Sequence, residues 1–82
     1  MNVERAERLS REFVVELRKA RLAAGISVYR LSKNSGVSKS MIHNMEIGER
    51  NPTMITAFAI ASALGGDFPE MARRAIERLG AD

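Results

Sequence analysis

Apolar positions recur at helical spacing along most of the chain. Val3, Ala6, Phe13, Leu17, Ala20 and Ala24 fall three, four or seven residues apart and predict a first helix from about Asn2 to Ala24, closed by Gly25. On its other faces Glu4 with Arg8 and Glu7 with Arg11 are i, i+4 pairs, worth a few tenths of a kcal/mol each and read as solvated surface. Ser27 is suited to cap a short helix running to about Ser35 with Leu31 inward, and Ser38 to cap a third running to about Ile47, where Gly48 stops it. Thr53 caps a fourth to Leu64, ahead of Gly65-Gly66. This segment is apolar almost all round (Met54, Ile55, Phe58, Ile60, Ala61, Leu64), the pattern of a buried central helix. Asp67 to Glu70 reads as a capping box with Pro69 in the first turn. Phe68, Met71, Ala72, Ala75, Ile76 and Leu79 then share one stripe of a last helix, 68–79, ending at Gly80. No strand-like alternation and no repeat interrupts the series. The expected fold class is all-α, five helices in a single domain over residues 1–82.

Two of the predicted helices, Val28 to Ser35 and Ser38 to Ile47, are separated only by a tight turn at Gly36, where glycine tolerates a left-handed backbone. Together they make a helix-turn-helix over 28–47, whose second helix can lie in a DNA major groove. At roughly 100° per residue, Ile42, Met45 and Ser38 fall on one side of that second helix and Ser40, His43, Asn44 and Ile47 on the other. The first side holds the helix on the domain. The second is free to meet base edges.

Composition narrows the function without naming it. Eighty-two residues suffice for one core but not two, and 45% apolar with 28% charged residues is a globular balance. The chain has no cysteine, so disulfides and thiolate metal sites are out of reach and a reducing cytoplasm is the simplest location. The opening MNVERAERLSRE is charged, unlike a secretory signal, and nothing approaches the roughly 20 apolar residues of a membrane span. The net charge of +3 is unevenly placed. Residues 1–26 carry six basic and four acidic groups, residues 27–51 four and two, and residues 52–82 three and four. A basic excess in the first two-thirds points to an anionic partner. Arg30, near the positive end of its helix, has two readings: an anion nearby offsets an unfavourable dipole interaction, or the flexible side chain bends outward into solvent.

No paired nucleophile and base, no pocketed carboxylates and no phosphate-cradling glycine loop is legible, so no enzyme is expected. His43 has no second histidine or cysteine to complete a metal site, and neither a cofactor nor a small-molecule ligand is expected. Met45 and Met71, at helical spacing, read as core fillers.

The segments LRKARLAAGIS, then Leu31 and Ser32, Gly36-Val37-Ser38, and SMIHNMEIGERNPT followed by an apolar helix ending in ALG carry a resemblance to a known family. From about Phe13 to Leu64 the chain resembles the lambda-repressor-like, or Xre-type, helix-turn-helix regulators. By that resemblance Lys39, Ser40 and Asn44 stand where members contact bases, and His43 lies on the same side as a base or phosphate contact. Asn44 is chemically suited to a bidentate pair with adenine, and Lys39 to guanine or phosphate. Ser38 and the start of the second helix, with Ser27, Tyr29 and Arg30, stand near phosphates. Arg50 and Asn51 resemble the loop that grips the backbone. Arg21 and Glu46 stand where the family has an ion pair from the first helix to the end of the recognition helix, and Arg21 is also placed for a phosphate. The chain departs from the pattern at Val28, where members carry a phosphate-bonding glutamine; Tyr29 and free backbone amides can substitute. Ser32 replaces the usual alanine and is still small.

The resemblance implies sequence-specific binding of double-stranded DNA by a transcriptional regulator, expected to repress by occupying its site as a homodimer. The last helix is either the dimer surface or the lid of the monomer's own core. The rival expectation is a protein-interaction module, such as an antitoxin or adaptor, and salt dependence separates the two.

Overall fold

A computed structural model describes residues 1–80. Five α-helices follow in order: α1 (Val3–Ala23), α2 (Val28–Ser35), α3 (Lys39–Glu46), α4 (Met54–Ala63) and α5 (Phe68–Leu79), and no strand occurs among the described residues. Each start is fixed by a side chain that accepts a free amide of the first turn. Asn2, Ser27, Ser38, Thr53 and Asp67 take the N–H of Arg5, Arg30, Met41, Thr56 and Glu70. The box at α5 is only half formed, since the Glu70 carboxylate turns outward to Arg73, whose Nε donates at 2.8 Å. No described helix is long and apolar enough to cross a membrane.

All five helices contribute to one core: Phe13, Val14 and Leu17 from α1, Leu31 from α2, Ile42 and Met45 from α3, Ala57, Ile60 and Ala61 from α4, and Met71 and Ala75 from α5. α5 lies along α1 and makes the most extensive helix pair. That pairing buries Glu16, 5% exposed, which the sequence pattern did not flag. Arg78 reaches it at 2.6 Å and Arg74 at 3.7 Å, while Arg78 also approaches Glu12 at 3.3 Å. Two arginines from α5 thus compensate a carboxylate on α1 that would otherwise be costly to bury.

Several expectations are corrected by this packing. Val3 and Ala6, in the first turns of α1, are exposed, as is Ala24 beyond the helix; the covered stripe runs from Leu9 to Ala20. Ser38 is exposed as a cap and does not share the buried side with Ile42 and Met45. α4 is not the enclosed centre of the fold. Its Ala57, Ile60 and Ala61 face the core, whereas Met54, Ile55 (81% exposed) and Phe58 (50% exposed) face outward. α5 closes the core through Met71 and Ala75, leaving Ile76 exposed. Phe68 joins α5 to α1 and α4, with its ring 4.7 Å from that of Phe13 and 4.6 Å from that of Phe58. An apolar groove lined by Ala6, Leu9, Phe13, Met54, Phe68 and Ile76 opens beside the outward face of α4.

Candidate nucleic-acid interface

The α2–α3 turn depends on Gly36, which ends α2 in the left-handed conformation (φ +77°) while its N–H donates to the Ser32 carbonyl at 2.9 Å. The Ser35 hydroxyl accepts from Val37 N–H at 3.1 Å, so the chain re-enters the core at Val37 within two residues. α3 then presents Lys39, Ser40 and His43 fully outward and Asn44 half-buried, with Ile42 and Met45 as its anchors in the core. Ile47, the last residue of the exposed edge, caps the helix.

The loop after α3 is drawn back onto it. Glu49 and Arg50 N–H groups both donate to the Asn44 carbonyl, at 2.8 and 3.1 Å, a reversal made possible by Gly48 at φ +84°. Consequently Asn44 and Arg50 line one shallow cleft together with Ser38, Ser40 and Met41. Asn51 is half-buried, and its Oδ1 is enclosed without a protein hydrogen-bond partner.

The far end of α3 is clamped to α1. Arg21 Nε and Nη2 donate to the two carboxylate oxygens of Glu46 at 2.7 and 2.8 Å, and Nη1 donates to the Ile26 carbonyl at 2.8 Å. One guanidinium therefore joins α1, the α1–α2 turn and the recognition helix. Both side chains are only 11% exposed. The bonds from Glu46 raise the Arg21 pKa above its already high ordinary value, outweighing the opposing effect of burial. Of the two roles expected of Arg21, the ion pair is present in the structure, with Nε, Nη1 and Nη2 all engaged within the chain. Arg18, 3.6 Å from Glu46, is the exposed cation at that corner.

The other predicted contacts on α2 and α3 are exposed or half-buried. Tyr29 and Arg30 are exposed at the start of α2, Ser27 and Ser38 are exposed caps whose oxygens already accept backbone amides, and Lys39, Ser40, His43 and Asn44 follow on α3. Lys33 was missed. Its ammonium lies 5.4 Å from the centre of the Tyr29 ring, and the Lys39 ammonium lies 5.5 Å from the same centre. The signal was available in part, because Tyr29 and Lys33 are i, i+4 on one helix.

Charge pairing divides the molecule. Among the described residues Arg30, Lys33, Lys39 and Arg50, the four cations of residues 27–51, make no ion pair. The three arginines of α5 all do: Arg73 with Glu70 and Glu77, Arg74 with Glu70 and Glu16, Arg78 with Glu12 and Glu16. The cations of the helix-turn-helix segment thus have no carboxylate partner among the described residues.

A five-helix body that caps and clamps a short, outward-facing α3 defines a helix-turn-helix protein. The chain belongs to the lambda-repressor-like helix-turn-helix family, whose family profile matches residues 17–71. It is 37% identical over 62 residues to the HTH-type transcriptional regulator SutR of Escherichia coli (strain K12). That match covers 76% of this chain and 35% of the relative, so the chain spans only part of that protein's length. No solved structure matches the chain.

Proposed function

We propose that this chain binds double-stranded DNA in a sequence-specific manner and regulates transcription, with α3 in the major groove. The observation that carries this reading is the exposed edge of α3 together with the four cations of residues 27–51 that make no ion pair among the described residues. Unpaired lysines and arginines supply the salt-sensitive affinity for phosphate, and Asn44, Ser40, His43 and Lys39 supply donors and acceptors for base edges. Family membership and the regulator named among its relatives support the same reading.

The finer reading is repression by occupancy as a two-fold dimer, with half-sites about 34 Å apart. The dimer contact is assigned to the outward face of α4 (Met54, Ile55, Phe58) with Ile76, the exposed residue of an α5 stripe whose Met71 and Ala75 pack in the monomer's own core. This apolar face also favours the rival reading, a protein-interaction module with a different partner.

Selection of bound duplexes from a random pool, followed by a salt titration of the best sequence, separates the two. An enriched palindrome with a steep negative slope in log salt is expected. Weak, unselective binding with a shallow slope would overturn DNA reading in favour of the interaction module.

A further inference from the structure

Tyr29 is a large aromatic residue left 56% exposed at the first turn of α2, outside the core cluster. Its surroundings are cationic. Lys33, one turn further along α2, and Lys39, the first residue of α3, both place their ammonium groups within cation–π range of its ring, at 5.4 and 5.5 Å from the centroid. Two ammoniums sharing one ring are held no more than about 11 Å apart. Neither has a carboxylate partner among the described residues. The ring attracts both ammoniums but neutralises neither, so their charge stays available to an anion. An anion completes the arrangement. The residue before Tyr29 is Val28, half-buried and unable to bond a phosphate through its side chain, so at that position α2 offers only its backbone amide.

We propose that Tyr29 is a positioning residue whose ring gathers the Lys33 and Lys39 ammoniums, from two different helices, into a paired-cation grip for the phosphates of one DNA strand beside the N-terminus of α3. The grip rests on the DNA-binding reading above. The role belongs to the ring and not to the phenol hydroxyl, and Lys33 enters the interface through it. By joining α2 to the first residue of α3, the ring also fixes where the phosphate chain runs relative to the base-reading edge.

The test uses the full chain, its selected duplex and an unrelated duplex, with Tyr29→Phe, Tyr29→Ala, Lys33→Gln and the double variant Tyr29→Ala/Lys33→Gln. Tyr29→Phe is expected to bind within twofold of the parent, and Tyr29→Ala about three- to tenfold more weakly on both duplexes. Lys33→Gln is expected to flatten the salt slope by about one, and its cost should shrink when the ring is already gone. Equal losses from Phe and Ala would assign the hydroxyl as the direct contact and overturn the proposal. So would a Lys33→Gln cost that is the same with and without the ring. A second measurement needs no DNA: in the free protein the Hε protons of Lys33 and Lys39 should be shifted upfield by the ring, and Tyr29→Ala should abolish the shift. Ordinary Hε positions in the parent would overturn the positioning role by themselves. Shifted Hε protons in a parent that binds no duplex would instead remove the DNA-binding reading, and the phosphate grip with it.

Discussion

Asn44 and Arg50 line the same shallow cleft, yet their chemistry gives them opposite effects on specificity. The amide of Asn44 presents one donor and one acceptor side by side, the pattern that matches the major-groove edge of adenine. Asn44→Ala is therefore expected to cost roughly 1–3 kcal/mol on the selected site and to relax preference at one base position, as measured by repeating the duplex selection with the variant. Arg50 carries a charge with no ion-pair partner among the described residues, on a loop whose amides hang from the Asn44 carbonyl. Arg50→Ala should weaken all duplexes about equally and flatten the salt slope by about one unit, read from binding isotherms at several salt concentrations. A loss confined to one sequence would move Arg50 to the base-reading set. Most of these side chains were legible in the sequence, because their type and their spacing along α3 declare them. Lys33 was not, since its place depends on how α2 and α3 meet around Tyr29. The choice between two roles for Arg21 also required the fold, which brings Glu46, twenty-five residues away, onto its guanidinium.

The elements themselves were readable because their punctuation is short-range. Ser27, Ser38, Thr53 and Asp67 cap within three residues of themselves, and Gly36 and Gly48 end α2 and the turn after α3 by backbone conformation alone. What joins the elements is long-range and was partly hidden. Glu16 gives no sign in the sequence that two arginines about sixty residues on will bury it. The α1–α3 clamp yields a direct test. Glu46→Ala leaves Arg21 enclosed without its carboxylate and is expected to destabilise the chain by about 3 kcal/mol in urea unfolding, with most of that loss recovered when Arg21→Met is added. At the start of α5, hydrogen bonding from Arg73 lowers the Glu70 pKa below 4.5. A carboxylate with a depressed folded-state pKa adds stability that is present above its unfolded value and is lost as pH falls through the folded one. The unfolding midpoint should therefore be higher in the parent than in Glu70→Gln at neutral pH, and the difference should vanish in acid. A gap that persists at low pH would place the contribution of Glu70 outside its charge.

At the scale of the whole molecule the unresolved demand is α4, apolar almost all round but covered on one side only. Hydropathy states which residues favour burial; it does not say whether the neighbour that buries them is another helix of the same chain. Here Met54, Ile55 and Phe58 begin two residues beyond Pro52, so the uncovered face adjoins the loop that carries Arg50 and Asn51. A second copy seated there would hold two such loops, and two α3 helices, in fixed relation, which is what binding two half-sites requires. A stable isologous contact covers roughly 800 Å² per partner, more than four side chains expose, so the cover must extend into the adjoining groove along α1 and α5. Neutral substitutions test this without altering the charge seen by DNA. Ile55→Asn with Phe58→Gln should halve the mass measured by sedimentation and cost the monomer about 1–2 kcal/mol of unfolding free energy, because Ile55 is 81% exposed while Phe58, 50% exposed, loses its ring contact with Phe68. The same variant should lose at least tenfold in affinity for a two-half-site duplex while keeping its affinity for a single half-site, since only the coupling between the two copies has been removed. A parent that sediments as a monomer and fills the two half-sites independently would exclude this face as the dimer contact. A variant that stays dimeric would move the contact elsewhere on the chain.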